Sequence, residues 1–313
     1  MECRPKRGTT GGDEIRRAVI DAGRAAGMLN DSMSRTRVFV LTVLAMLAFA
    51  ANSLLCRVAL KYTAIDAVSF TSIRIASGAV ALWLIVRMRR GPYARSGRRA
   101  SAFALFAYAA AFSFSYVSLT AAMGALLLFG AVQVTMIGFG LWTGERLRGR
   151  QTAGLVCALG GVFGLLLPGL SAPPLQGSML MLTAGVAWGV YSLRGKGSGD
   201  PLRVTAGNFS RAVAFAVALG AVMLPWASLD RSGVGYAIAS GALAPGVGYA
   251  VWYTAVAGLK VTSAATVQLS VPVIAAVGGV FLLGEPVTLR LFISSAAILG
   301  GIALVVTDLR PAA

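Results

Sequence analysis

Ten stretches of this chain run for about twenty residues with almost nothing but apolar side chains, and that pattern limits the fold more than any other feature. The hydrocarbon core of a bilayer is about 30 Å thick, which a helix crosses in roughly twenty residues. Lipid offers no partner to a backbone N–H or carbonyl, so each run must satisfy its own groups, as a helix does. A closed barrel would instead show alternation over segments of about ten residues, and none is visible. The runs fall roughly at 38–56, 68–86, 100–119, 121–142, 152–167, 177–193, 204–224, 233–255, 261–283 and 289–306. The fifth and sixth are short but bounded by Pro168, Pro173 and Pro174, as helix ends should be. Composition agrees: 12% of residues are charged, about half the fraction of a soluble domain. The expected fold class is all-α integral membrane, with ten transmembrane helices.

The formal charge of +17 would suit nucleic acid if the basic residues shared one face. They cluster between the apolar runs instead, where they set orientation, so no nucleic-acid partner is expected. With the N-terminus inside, twenty-two of the 28 lysines and arginines fall on the cytoplasmic side. They lie in the tail (Arg4 to Arg37), between Arg87 and Arg99, Arg146 and Arg150, and Arg194 and Arg203, and at Lys260 and Arg310. Arg57, Lys61, Arg231 and Arg290 are outside, and Arg74 and Arg211 are within spans. Both termini are therefore expected in the cytoplasm, with the chain crossing the plasma (inner) membrane many times. Residues 1–34 are charged and lack the apolar core of a signal peptide. They read as a cytoplasmic tail: a disordered segment, a surface helix over 13–28, or a leader preceding a start at Met33. Cys3, Cys56 and Cys157 form no metal-binding spacing, and there is no histidine. No cofactor and no metal are expected.

The chain also resembles itself. Gly144-Glu145 and Gly284-Glu285 each close a long apolar run, and Arg150 and Arg290 follow at equal distance. Leu159-Gly160-Gly161 matches Leu299-Gly300-Gly301 at the same offset of 140, and Arg74 matches Arg211 at 137. The expected organisation is a tail over 1–34, one five-helix repeat over 35–170 and a second over 175–309. Five spans are an odd number, so the second repeat must cross in the opposite sense. Inverted repeats of this kind underlie many secondary transporters, with the solute bound near the midplane.

Ten spans in a five-plus-five repeat, with Gly-Glu ending the fourth and ninth, resemble the drug/metabolite transporter superfamily and its EamA-type branch. The likeness runs over about 37–308 and is densest at Val267-Gln268-Leu269-Ser270-Val271-Pro272-Val273-Ile274 and Leu283-Gly284-Glu285-Pro286. Members of that branch export amino acids, drugs or metabolites. The resemblance implies a central cavity lined mainly by the third, fourth, eighth and ninth helices. The first repeat departs from the pattern in having Val132 where the second has Pro272. The related small multidrug resistance proteins use a carboxylate on the first helix, where this chain offers only Asn52 and Ser53.

A few polar groups among aromatic rings is what small-solute pockets are made of. Gln133, Gln268, Tyr116, Trp188, Tyr249, Trp252 and Tyr253 are the substrate-binding candidates. Trp142 and Trp226, near span ends, read as interfacial anchors. Arg74 and Arg211 either attract an anion or lock helices together by bonding carbonyls; their presence in both repeats favours the second role. Pro245 and Pro272 are hinge candidates. Gly160–Gly164 and Gly185–Gly189 are GxxxG patterns, which let helices approach closely. Glu145 and Glu285 are expected to pair with nearby Arg146, Arg148 and Arg290, because a carboxylate at a helix C-terminus is unfavourable alone. No nucleophile–base set at membrane depth points to catalysis, so the chain is not expected to be an enzyme. The expected function is secondary transport of small organic metabolites, outward and by alternating access, with the lipid bilayer and the solute as partners. Uptake or facilitated diffusion is the alternative within transport, and an intramembrane enzyme or a scaffold is the alternative outside it.

Overall fold

The computed structural model describes residues 35–89, 97–144, 146–169, 172–195, 200–259 and 267–307. The tail 1–34, Glu145 and the first residues of the ninth predicted span lie outside the described residues. Ten helical segments are found among those described. They are α1 (Arg35–Tyr62), α2 (Ala67–Met88), α3 (Arg99–Tyr116), α4 (Ala121–Trp142), α5 (Gly149–Leu166), α6 (Leu175–Gly195) and α7 (Pro201–Val222). Then follow α8 (Arg231–Val256), α9 (Ser270–Leu283) and α10 (Leu289–Thr307). Six of these, α1, α2, α4, α5, α7 and α8, are long and apolar enough to cross a membrane. The fold is all-helical among the described residues, and the chain is a multi-pass membrane protein.

Four helix starts are set by side-chain caps. Asp66, Asp200 and Asp230, the acids at the edges of spans, are all N-caps: their carboxylates accept backbone N–H bonds from the first turns of α2, α7 and α8. Such a carboxylate satisfies orphan donors and meets the positive end of the helix. Thr120 caps α4 the same way. At the C-terminus of α9, Gly284 adopts φ +61° and the Glu285 N–H bonds back to the Gly279 carbonyl. This is a left-handed cap that a Cβ would disfavour.

The outside of the bundle is apolar: Phe39, Leu84, Phe163, Phe281, Leu282 and Phe292 are all exposed. In water this would be an aggregation surface; against lipid tails it is the expected exterior. Trp142 and Trp226 are also exposed, at 85% and 68%. Inside, α5 packs on α10, α2 on α7 and α4 on α9. The other principal pairs are α3 with α6, α4 with α6 and α2 with α8. Exchanging each helix for the one five along turns these three into α8 with α1, α9 with α1 and α7 with α3, which are also packed. Small residues permit the closest approaches. A Cβ on Gly185 would lie 2.5 Å from Ala131 Cβ, and one on Gly189 2.8 Å from Thr135 Cβ, so this GxxxG face is pressed on α4. In the other pattern, Gly160 faces open space and its neighbour Gly161 makes the contact with Ala297 and Ile298.

Candidate solute site

Seven helices and the residue Gln268 enclose a cavity of about 860 Å³. Its walls come from α1, α2, α3, α4, α6, α7 and α8, with Gln268 just ahead of α9. Helices α5 and α10, paired with each other, contribute nothing to it. The wall is thus broader than the four helices implied by resemblance. At one end it runs out to Gly97, Arg98, Arg194 and Pro201, all at helix termini. Among the described residues, no aspartate or glutamate lines it.

Arg74 sits deep in this wall at 4% exposure. Its Nη1 donates to Ser113 Oγ at 3.4 Å and its Nη2 to Asn52 Oδ1 at 3.5 Å. Its guanidinium carbon lies 4.7 Å from the Phe112 ring centroid and 5.9 Å from that of Tyr108. Asn52 Oδ1 also accepts from Ser240 Oγ at 2.8 Å, which joins α1, α2 and α8 at this point. The close crossing of α2 and α8 depends on Gly241, where a Cβ would stand 2.1 Å from the Arg74 carbonyl oxygen. Rings continue the wall: Tyr108 and Trp188 are 4.8 Å apart, and Trp188 stacks between Tyr191 at 5.2 Å and Tyr249 at 5.7 Å. Thr205 bonds the Tyr191 and Tyr253 hydroxyls, and Asn208 Nδ2 donates to the Tyr191 hydroxyl.

The helix carrying Tyr249 and Tyr253 is not regular. Residues Ala242–Gly248 of α8 are wound as a π-helix around Pro245. The missing proline N–H cannot close an ordinary turn, and the wider winding absorbs the ring that would strike the preceding carbonyl. Pro245 itself lines the cavity, so the loosened backbone is on the wall.

Of the residues expected at the site, Gln133, Gln268, Trp188, Tyr249, Trp252 and Tyr253 line the cavity, as do Arg74 and Pro245. Tyr116 does not: it is fully buried, and its ring fills the space beside Gly124, where a Cβ would be 2.4 Å away. Arg211 also stays off the wall, donating from Nη1 to the Gly207 carbonyl of its own helix at 3.1 Å. The two arginines matched in sequence therefore occupy different surroundings. Pro272 falls in the first turn of α9, where a missing N–H leaves no orphan. Sequence reasoning missed Tyr108, Tyr191, Thr205 and Asn208, all on the wall. The small and aromatic faces of the third, sixth and seventh spans carried a usable signal: Tyr108 and Phe112 recur four residues apart, on one helical face.

One turn beyond the cavity, α1, α3, α4 and α9 are tied together. Arg57 Nε donates to Glu285 Oε1 at 3.1 Å, with side-chain exposures of 8% and 4%. Arg57 Nη1 donates to the Tyr116 and Val117 carbonyls at 2.9 and 3.1 Å. Glu285 Oε2 accepts from the Ala121 N–H at 2.8 Å, at the start of α4. The left-handed turn at Gly284 sends the carboxylate back along α9, and Gly279 leaves room for it: a Cβ there would be 2.6 Å from Oε2. This corrects two expectations. Arg57 is inside a helix and buried, not in an external loop, and it is the partner of Glu285. Arg290 instead donates to the Leu167 carbonyl.

The EamA-like transporter family profile matches residues 175–307, which span α6 to α10. The chain is 59% identical over 275 residues to the uncharacterized protein PA1977 of Pseudomonas aeruginosa, covering 87% of this chain and 96% of that one. It is also similar to a protein of solved crystal structure, with a TM-score of 0.59 at 18% identity, covering 87% and 96% of the two chains. That likeness is one of fold. A helical bundle with six helices long and apolar enough to cross a membrane, the match across the second half and the full-length relative lead to one conclusion: the chain belongs to the EamA-like transporter family.

Proposed function

We propose that the protein is a secondary transporter of small organic metabolites that exports them across the plasma (inner) membrane by alternating access. The observation that carries this is the cavity, which reaches the helix ends at Arg98 and Arg194 and stops one turn short of the Arg57–Glu285 pair. By the charge rule the arginine-rich end is cytoplasmic, so this is an inward-facing state with its outer side latched. All ten helices are taken as spans, in two inverted halves. The exchange symmetry of the packed pairs and the offset of 137 that relates Arg57 to Arg194 as well as Arg74 to Arg211 support that reading. Two inverted halves can trade conformations, which moves the opening from one face to the other while the solute stays near the midplane. Loading from the cytoplasm through this opening gives the outward direction. The test is solute flux in sealed vesicles containing only this protein. Counterflow of a solute that binds the purified protein supports transport; leak-level flux for every such solute refutes it.

A further inference from the structure

The cavity has an electrostatic bias that narrows its cargo. Arg74 carries a full positive charge at 4% exposure, yet the groups that meet it are neutral: the Ser113 hydroxyl at 3.4 Å, the Asn52 amide oxygen at 3.5 Å and the Tyr108 hydroxyl. No carboxylate is among the described residues that line the cavity. Arg98, at the outer reach of the same cavity, adds positive charge. A guanidinium removed from water is unfavourable until a counter-charge or several strong acceptors reach it. Its planar fork suits a carboxylate in particular, which it can grip with two parallel bonds. An ammonium group would meet the opposite situation: the field of Arg74 repels it and the wall supplies no anion for it.

The neighbouring surface says what the rest of the ligand is. From Phe112 and Tyr108, under the guanidinium, the rings pass within 4.8 Å to Trp188 and on to Tyr191 and Tyr249. Trp188 and Tyr249 are nearly parallel, at 16°. Flat π faces favour a planar apolar body in offset contact. We infer that the cargo is an organic monoanion, a carboxylate attached closely to a planar ring, and not a cation, a neutral solute or a zwitterion. This rests on the transport reading for the meaning of the cavity, but its test does not.

The protein in lipid nanodiscs is titrated at neutral pH with phenylacetate, acetate, phenylacetamide, phenethylammonium and phenylalanine. Binding is read calorimetrically and by the fluorescence of the cavity tryptophans Trp188 and Trp252. Phenylacetate is expected to bind at least about tenfold more tightly than each of the others, the scale of one charge-assisted bidentate contact or one lost ring. The decisive variant is Asn52→Asp, which keeps the oxygen that accepts from Arg74 and Ser240 while supplying Arg74 with a counter-ion in place. It should retain the fold, as judged by melting temperature, and lose the preference for acid over amide. Arg74→Gln should lose it too. The inference is overturned if amide or ammonium binds as tightly as the acid, if no probe binds, or if Asn52→Asp keeps the full preference. Flux of the same probes in proteoliposomes separates the two readings. Acid-selective binding without flux leaves the ligand class standing and removes transport. Flux of a neutral or cationic probe without acid preference does the reverse.

Discussion

The Arg57–Glu285 pair holds both charges away from water, and further hydrogen bonds run from Arg57 to the Tyr116 and Val117 carbonyls and to Glu285 from the Ala121 N–H. Breaking a buried pair by removing one partner strands the other charge, at about 3–5 kcal/mol. Glu285→Ala should therefore melt well below the wild type in nanodiscs. The double variant Arg57→Ala with Glu285→Ala should recover part of the loss, because no charge is left orphaned. A double variant that is as unstable as the sum of the single ones would show that the pair is not coupled. Asp66, outside the spans, gives a pH signature. Burial pushes its carboxyl up, but hydrogen bonds from Ser69, Ser228 and Val68 outweigh that and hold it below the ordinary carboxylate value. Its folded value thus lies under the unfolded one of about 3.9. Its stabilising contribution is complete above that value and is lost as pH falls through the folded one. Asp66→Asn should lower the melting temperature at neutral pH, with the gap to wild type closing as the carboxylate range is crossed downwards. A gap that stays constant with pH would remove the assignment.

Helices were legible wherever an apolar run was long, because lipid leaves the backbone no alternative. What could not be read was how each helix is turned about its own axis. Tyr116 looks like a pocket residue by type, but the packing of α3 on α6 and α4 turns it onto Gly124, while Tyr108, two turns back, faces the cavity. Arg290 looked like the partner of Glu285 because sequence spacing sees only neighbours; the true partner is 228 positions away. The π-winding at Pro245 was also hidden, since a proline marks a break without saying how the chain resolves it. Glycines show the same divide between pattern and placement. Gly160 and Gly161 are adjacent and identical in type, yet a Cβ on the first meets nothing and one on the second meets Ala297 Cβ at 2.9 Å and the Ile298 nitrogen at 3.0 Å. Gly160→Ala should stabilise α5 by up to about 1 kcal/mol through helix propensity. Gly161→Ala should destabilise it by about 1–3 kcal/mol, because α10 backbone has to move. Equal melting temperatures for the two variants would contradict the α5–α10 packing.

In the transport cycle proposed above, the cavity opens to one face and the Arg57–Glu285 pair, which joins α1, α3, α4 and α9, ties the other. For alternating access that tie must be strong enough to seal and weak enough to part, so the balance between states should be sensitive to it. Ser53 is the probe: it lines the cavity on α1, one turn short of Arg57, and is 2% exposed. In a background with the native cysteines replaced, Ser53→Cys should react with an impermeant thiol reagent in inverted membrane vesicles, reached through the arginine-rich mouth. In intact cells the same cysteine should be shielded, because the latch lies between it and the exterior. Adding Glu285→Gln removes the charge but keeps the shape, and should shift the population outward, so labelling from outside appears and labelling from inside declines. Rapid labelling of Ser53→Cys from outside with the latch intact would mean that the orientation or the sealed face has been assigned the wrong way round. Unchanged labelling from both sides on Glu285→Gln would instead leave the cavity in place and deny the pair its role in closing it.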